Sequence, residues 1–294
     1  MTSWTEIAAQ ISSSEGIPFV VEKVASIGGG CINRTYRVGG SGREFFVKLN
    51  NADALAMFEA EAAGLKEILG SRSLRAPAPL CWGTNSTEAW LVLEYLEMND
   101  AGRSGAIALG QRLATMHRFS SQKFGWIRDN TIGSTPQINK FSTGWTEFWR
   151  ERRLGYQLRL ARANGYTGRL QKQGEQLMER LDHFFPGPQP IPSLLHGDLW
   201  AGNFRFDDSG QPVVFDPAVY YGDRETDIAM TELFGGFANS FYAAYGEAYP
   251  LEPEYETRKT LYNLYHILNH LNLFGGGYLR QAEQTTGRLL AEVS

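Results

Sequence analysis

His196-Gly197-Asp198-Leu199-Trp200-Ala201-Gly202-Asn203, followed twelve residues later by Phe215-Asp216-Pro217-Ala218, is the stretch that decides the fold. Asp198 and Asn203 stand five residues apart. A hairpin of Phe204-Arg205-Phe206 and Val213-Val214-Phe215, about the turn Asp207-Asp208-Ser209-Gly210, then returns the chain to a second aspartate, Asp216. Three oxygen-bearing side chains are thereby expected in one cleft. Mg²⁺ prefers hard oxygen ligands, a role for Asn203 and Asp216, while Asp198 is placed to accept the proton of an attacking hydroxyl. Any one carboxylate beside glycine is ordinary loop chemistry, but the whole set in this spacing is what phosphoryl transfer requires.

The same spacing organises the catalytic loop of protein kinases. It sets the fold expectation: an α+β, protein-kinase-like bilobal chain, with a small antiparallel β lobe carrying one helix and a larger, mainly helical lobe. Downstream, Asp227 follows Asp216 by only eleven residues and no Ala-Pro-Glu motif appears, which leaves little room for a long peptide-docking segment. The acceptor is therefore expected to be a small molecule entering beside Asp198. Asp227 opens a helical pattern and reads as a brace for the catalytic loop, with His196 as an anchor of that loop rather than a proton carrier. His117, at helical spacing from Leu113, reads as a helix residue.

Upstream, residues 19–26, 34–38 and 43–49 are rich in β-branched and aromatic residues and separated by glycine clusters, a pattern that predicts antiparallel strands. Phe58, Ala62, Leu65 and Leu69 recur at helical spacing over residues 54–69, with Asp53 as N-cap and Gly70 as stop. Residues 80–83 and 89–95 complete five strands. Lys48 ends the third strand, where a fixed ammonium can reach the α- and β-phosphates of a nucleotide. Such a lysine needs an orienting carboxylate. The 3.6-residue period puts Glu61 about 70° and Glu59 about 90° from the centre of the apolar stripe, which favours Glu61. Gly28, Gly29 and Gly30 let backbone N–H groups approach phosphate, and the strand end at Glu94-Tyr95-Leu96 offers backbone groups of Glu94 and Leu96 to an adenine edge. The triplet is neither a Walker loop nor a dinucleotide fingerprint, because a strand rather than a helix follows it.

Length and composition set the bounds. The 294 residues are enough for about two compact units, here 1–97 and 98–294. The second is dominated by helical patterns over 107–119, 144–163, 166–184, 227–247 and 254–272, with the hairpin lodged among them. A net charge of −4 supplies no positive field for nucleic acid. No apolar run approaches the length of a membrane span, and Met1 to Ser14 lacks a secretory pattern. Two cysteines, Cys31 and Cys81, make neither a disulfide framework nor a zinc site. A cytoplasmic chain is expected.

Taken together, Gly28-Gly29-Gly30-Cys31-Ile32-Asn33, Phe46-Val47-Lys48, Met57-Phe58-Glu59-Ala60-Glu61, the loop from His196 to Asn203 and Phe215-Asp216-Pro217-Ala218 resemble, in order, the motifs of the fructosamine kinases or ketosamine-3-kinases. These are relatives of the aminoglycoside and choline kinases. The Leu199-Trp200 pair inside the loop and Tyr221-Gly222 narrow the resemblance, and the segments 132–139 and 148–154 are similar to the family's middle region. The resemblance implies ATP- and Mg²⁺-dependent phosphorylation of the O3 hydroxyl of a ketosamine, on a free amine or a glycated protein, after which the 3-phosphate decomposes and frees the amine. It implies Asp198 as base, Asn203 and Asp216 on Mg²⁺, and Lys48 with Glu61 on the phosphates. Trp200, Tyr221 and Asp223 become substrate candidates. Cys31, beside the glycine triplet, is a candidate redox-sensitive thiol, although neighbouring phosphate raises a thiol's pKa. Two rivals stand beside this reading: a kinase for another alcohol, such as an aminoglycoside, a choline-like molecule or a free sugar, and a nucleotide-binding scaffold without turnover.

Overall fold

The computed structural model describes residues 4–28, 32–100 and 103–293. The chain divides into two compact units, the first comprising Met1–Gly105 with Arg205–Asp216 and the second Ala106–Phe204 with Pro217–Ser294. The hairpin that the sequence pattern lodged among helices is counted with the sheet-bearing unit.

That sheet contains β1 (Lys23–Ile27), β2 (Arg34–Gly40), β3 (Arg43–Asn51), β4 (Pro79–Thr84) and β5 (Glu88–Glu94), in the order β1-β2-β3-β5-β4. Every pair is antiparallel. β3 is central, and its period of two decides what each side chain meets. Phe45, Val47 and Leu49 join Trp90 and Val92 in a buried cluster with Ile7 and Ile11 of α1 (Trp4–Glu15). Lys48 therefore faces the opposite side, toward α2 (Leu55–Gly70).

α1 corrects the expectation of a single helix in this unit. Trp4, Ile7, Ala8 and Ile11 form a stripe too short to stand out in the sequence, yet Ile7 and Ile11 are fully buried. The first strand also begins later than expected, because Phe19 is spent on an edge-to-face contact with Phe45 at 5.1 Å before pairing starts. α2 is entered through a 3₁₀ turn, Ala52–Ala54, so Ala54 rather than Asp53 is the N-cap. Its end is made by Ser71 and by Arg72 in the left-handed region (φ 55°), not by Gly70. A further strand, β6 (Met98–Asn99), joins the hairpin strands 204–207 and 212–214 in a three-stranded sheet.

The second unit is built from most of α3 (Arg103–His117) and from α4 (Trp145–Phe148), α5 (Gly155–Ala163), α6 (Arg169–Glu179), α7 (Glu225–Leu233), α8 (Asn239–Ala248), α9 (Tyr255–Phe274) and α10 (Leu279–Glu292). α9 is the central post. Its Tyr262 ring meets Trp149 edge-on at 4.9 Å and its hydroxyl accepts the Trp145 indole N–H at 3.1 Å. Three expected helices prove to be interrupted. α4 runs through a π-helical turn, Trp149–Leu154, into α5. Gly235 and Gly236, both left-handed, separate α7 from α8. Gly168, also left-handed, delays the start of α6, and Leu181–Phe184 is a 3₁₀ turn. The hairpin of Asn130–Ile132 and Thr135–Gln137, and α10, were not anticipated. Among the described residues no helix is long and apolar enough to cross a membrane.

Candidate active site

The first unit supplies a buried ion cluster. Lys48, 4% exposed, donates to Glu61 Oε1 at 2.5 Å and also to Asp216 Oδ1. Glu61 rather than Glu59 is thus the helical partner. Burial by itself would push the Lys48 ammonium down, but the charges of Asp216 and Glu61 outweigh it and hold its pKa above the ordinary value. Burial pushes Glu61 up, and Lys48 opposes that rise. Asp216 sits in the left-handed region at φ 55°, a conformation that aspartate tolerates better than most residues. Its side chain is 48% exposed, so one face of the carboxylate remains open to solvent while Lys48 holds the other.

The other positions expected to meet nucleotide are less engaged. Gly28 is exposed with open space around it, and Gly29, Gly30 and Cys31 lie outside the described residues. The Glu94 N–H is already donated to the Ala78 carbonyl at 2.8 Å, and its carboxylate pairs with Arg75 at 2.5 Å. Leu96 lies between β5 and β6, outside either strand.

The second unit holds the loop that runs from residue 196 to 203. It leaves the short strand Ser193–Leu195, which is paired antiparallel with Tyr220–Gly222. Gly197 has φ +83°, and a Cβ there would lie 2.1 Å from the Ala218 carbonyl oxygen, so only glycine fits. Next in the chain, the partly exposed Asp198 receives the Asn203 side-chain amide: Nδ2 donates to the Asp198 carbonyl at 2.8 Å and to its Oδ2 at 3.2 Å. With the nitrogen so used, Oδ1 is the Asn203 atom left for a cation.

Asp227, in the first turn of α7 rather than at its opening, grips the loop from behind. Its Oδ2 accepts the His196 N–H at 2.7 Å and its Oδ1 the Gly197 N–H at 2.8 Å. Burial by itself would raise the Asp227 carboxyl, but the His117 hydrogen bond and charge outweigh it and hold the pKa below the usual range. His117 is fully buried, and burial lowers its pKa. Its Nε2 lies in hydrogen-bond contact with Asp227 Oδ2 at 3.2 Å and its Nδ1 with the Tyr245 hydroxyl at 2.8 Å. That hydroxyl accepts in turn from Arg224 at 3.2 Å. The sequence offered no signal for this chain of contacts, since His117 and Asp227 are 110 residues apart.

The substrate candidates separate. Trp200 is 39% exposed, and its indole lies over Gly202, where a Cβ would come within 2.3 Å of the ring. Tyr221 is buried in the strand 220–222, with its backbone N–H and C=O both paired to Gly125 at 2.9 Å. Asp223, the third candidate, lies in the interior. It is 5% exposed, and its two oxygens accept the Tyr262 hydroxyl at 2.5 Å and the Glu225 N–H at 3.0 Å.

The donor chemistry fits Mg²⁺. Asn203 Oδ1 and the half-exposed Asp216 carboxylate are hard oxygens and few in number. Among the described residues no group of three or more His, Cys, Asp or Glu gathers as a dedicated cage. Mg²⁺ needs none when phosphates and water complete its shell.

Comparison with known proteins sets these features in context. The fructosamine kinase family model matches residues 3–292. A protein of Synechocystis sp. named probable ketoamine kinase is 47% identical over 282 residues, 96% of this chain and 95% of that one. The chloroplastic protein-ribulosamine 3-kinase of Arabidopsis thaliana is 43% identical over 272 residues, 92% of this chain and 83% of that one. A crystal structure from Haemophilus somnus, provisionally named fructosamine-3-kinase, matches with a TM-score of 0.90 at 28% identity, covering 98% and 97% of the two chains. The aminoglycoside phosphotransferase APH(4)-Ia, in ternary complex with ADP and hygromycin B, shares the fold at a TM-score of 0.66 and 15% identity, covering 98% of each chain.

Proposed function

This chain belongs to the fructosamine kinase family, and we propose that it is an ATP-dependent ketosamine 3-kinase, transferring the γ-phosphoryl group to the O3 hydroxyl of a fructosamine or ribulosamine. The names of the relatives at 47% and 43% identity support the substrate class. The observations that carry the chemistry are two separate clusters: the Asn203 amide on Asp198, and Lys48 held by Glu61 and Asp216.

In this reading Lys48, fixed by Glu61, binds the α- and β-phosphates. Asp198 accepts the proton of the O3 hydroxyl, and the Asn203 amide keeps its carboxylate aimed. Asn203 and Asp216 would hold Mg²⁺, which would supply charge neutralisation for the transferring phosphoryl group. Catalysis is then positioning and electrostatics rather than covalent chemistry by the protein. The partly exposed Trp200 indole offers an apolar face to the sugar or its amine. Phosphorylation at O3 destabilises the adduct and releases the amine, a repair reaction that uses cytoplasmic ATP.

The test is ATP consumption with Mg²⁺ against a fructosamine, a ribulosamine, free sugars, choline and an aminoglycoside, with the phosphorylated position read by NMR. Phosphate on O3 of a ketosamine, in preference to the other acceptors, is the expected result. Preference for another alcohol would overturn the substrate and keep the mechanism; tight ATP binding without turnover would identify a scaffold.

A further inference from the structure

Behind the catalytic loop the second unit holds a buried polar network that the reaction scheme leaves unused. Gln137 is 1% exposed, and its side-chain nitrogen donates to the Ala218 carbonyl at 3.0 Å and to Asn130 Oδ1 at 2.9 Å. Its side-chain oxygen accepts the Tyr265 hydroxyl at 2.8 Å, which fixes the amide's orientation. Asn130 donates to the next carbonyl, Val219, at 2.8 Å. The network ends on a charge: Asn139 donates to Asn130 at 2.8 Å and accepts from Arg153, a fully buried guanidinium stacked on Tyr220 at 4.0 Å. The π-helical turn at Trp149–Leu154 carries that arginine into the interior, and such turns recur at functional sites.

The residue held this way touches the catalytic loop directly. The Ala218 N–H donates to the His196 carbonyl at 2.8 Å, and the Ala218 oxygen packs against Gly197 where no side chain fits. The His196–Gly197 backbone is therefore clamped on its N–H side by Asp227 and on its carbonyl side by Ala218. Asp198 is the next residue.

We propose that Gln137 is a positioning residue for phosphoryl transfer: its amide fixes the Ala218 carbonyl and so the residue whose N–H bonds His196, and through that residue it aims the Asp198 carboxylate. This rests on the kinase reading above. A buried amide with donor and acceptor both satisfied holds one orientation, whereas an apolar side chain of equal length leaves the Ala218 carbonyl without its donor.

Gln137→Met keeps the shape and removes the hydrogen bonds of the amide. The expected result is a fall of about 10–100-fold in kcat per nucleotide-binding site, with KM for ATP and for the ketosamine within about twofold of wild type. Counting sites by nucleotide titration excludes unfolded protein from the rate. Tyr265→Phe, which frees the Gln137 amide to turn while leaving it in place, should lower kcat per site by about 3–10-fold, and it tests the same link if the methionine variant does not fold. A wild-type kcat per site in the variant that folds, or a change confined to KM, would overturn the proposal. The wild-type rate on the ketosamine, measured first, reports on the kinase reading alone; the ratio of variant to wild type reports on Gln137.

Discussion

Asp198 and Asn203 act as one unit because a five-residue spacing in a turn lets the asparagine amide reach back to both the carbonyl and the carboxylate of the aspartate. On the proposed assignment, Asp198→Asn removes the proton acceptor and leaves Lys48 in place. Turnover should fall by about three orders of magnitude or more while ATP affinity stays within a few-fold, as measured by single-turnover kinetics and nucleotide titration; unchanged turnover would remove Asp198 as the base. Gly197 is a second residue whose identity is dictated by geometry, at φ +83° with the Ala218 oxygen where a Cβ would be. Gly197→Ala forces either the loop or the Ala218 peptide to move, and activity should drop about 100-fold or more while nucleotide binding in the other unit persists. Both residues were legible in sequence, since a His-Gly-Asp loop followed by asparagine carries its own spacing. His117, Tyr245 and Arg224 were not. Each is an ordinary helix or helix-entry residue locally, and only packing brings them to Asp227.

At the level of elements, periodicity found the strands and helices wherever one face alone is buried. β3 is the clearest case: its alternation sends Phe45, Val47 and Leu49 to one side and Lys48 to the other, and the sequence displays that alternation. Periodicity failed where backbone geometry rather than side-chain pattern ends an element. Gly235 and Gly236 stop α7 although the apolar stripe continues into α8, and the π-helical turn leaves the composition of the helix around it unchanged. Packing between elements adds constraints of its own. Gly110 of α3 sits against α8, where a Cβ would lie 2.5 Å from the Phe241 carbonyl oxygen and 3.0 Å from the Tyr245 nitrogen. Gly110→Val should destabilise the second unit by about 1–3 kcal/mol, through overpacking that outweighs the gain in helix propensity. Thermal or urea unfolding checks this, and a stability equal to wild type would show that α3 and α8 can separate without cost.

For the molecule as a whole, stability against pH follows from its buried carboxylates. Burial, reinforced by the Glu225 charge, pushes the Asp223 carboxyl up from 3.8 to about 6. A folded pKa above the unfolded one means that the protonated form is preferred in the native state. The contribution is fully present below about pH 4 and is lost as pH rises through about 6. Each tenfold difference in proton affinity between the folded and unfolded chain is worth about 1.4 kcal/mol. Asp227 has the opposite sign: its lowered pKa contributes above the unfolded value of 3.8 and is lost as pH falls below it. Asp223→Asn, which keeps an acceptor for Tyr262, should flatten the decline between pH 4 and 6, as read by urea unfolding; an unaltered slope would assign that decline to another group. Sequence by itself determined the kinase-like α+β class, the family, and the identity of Lys48, Glu61, Asp198, Asn203 and Asp216 as candidates, because those residues lie in short motifs whose spacing is their chemistry. Tertiary structure alone decided that Asp223 is buried on Tyr262, that His117 stands behind Asp227, and that Gln137 holds the Ala218 carbonyl. Their partners are 39 to 110 residues away in the chain, and a hydrogen bond between distant segments leaves no periodicity for a sequence to show.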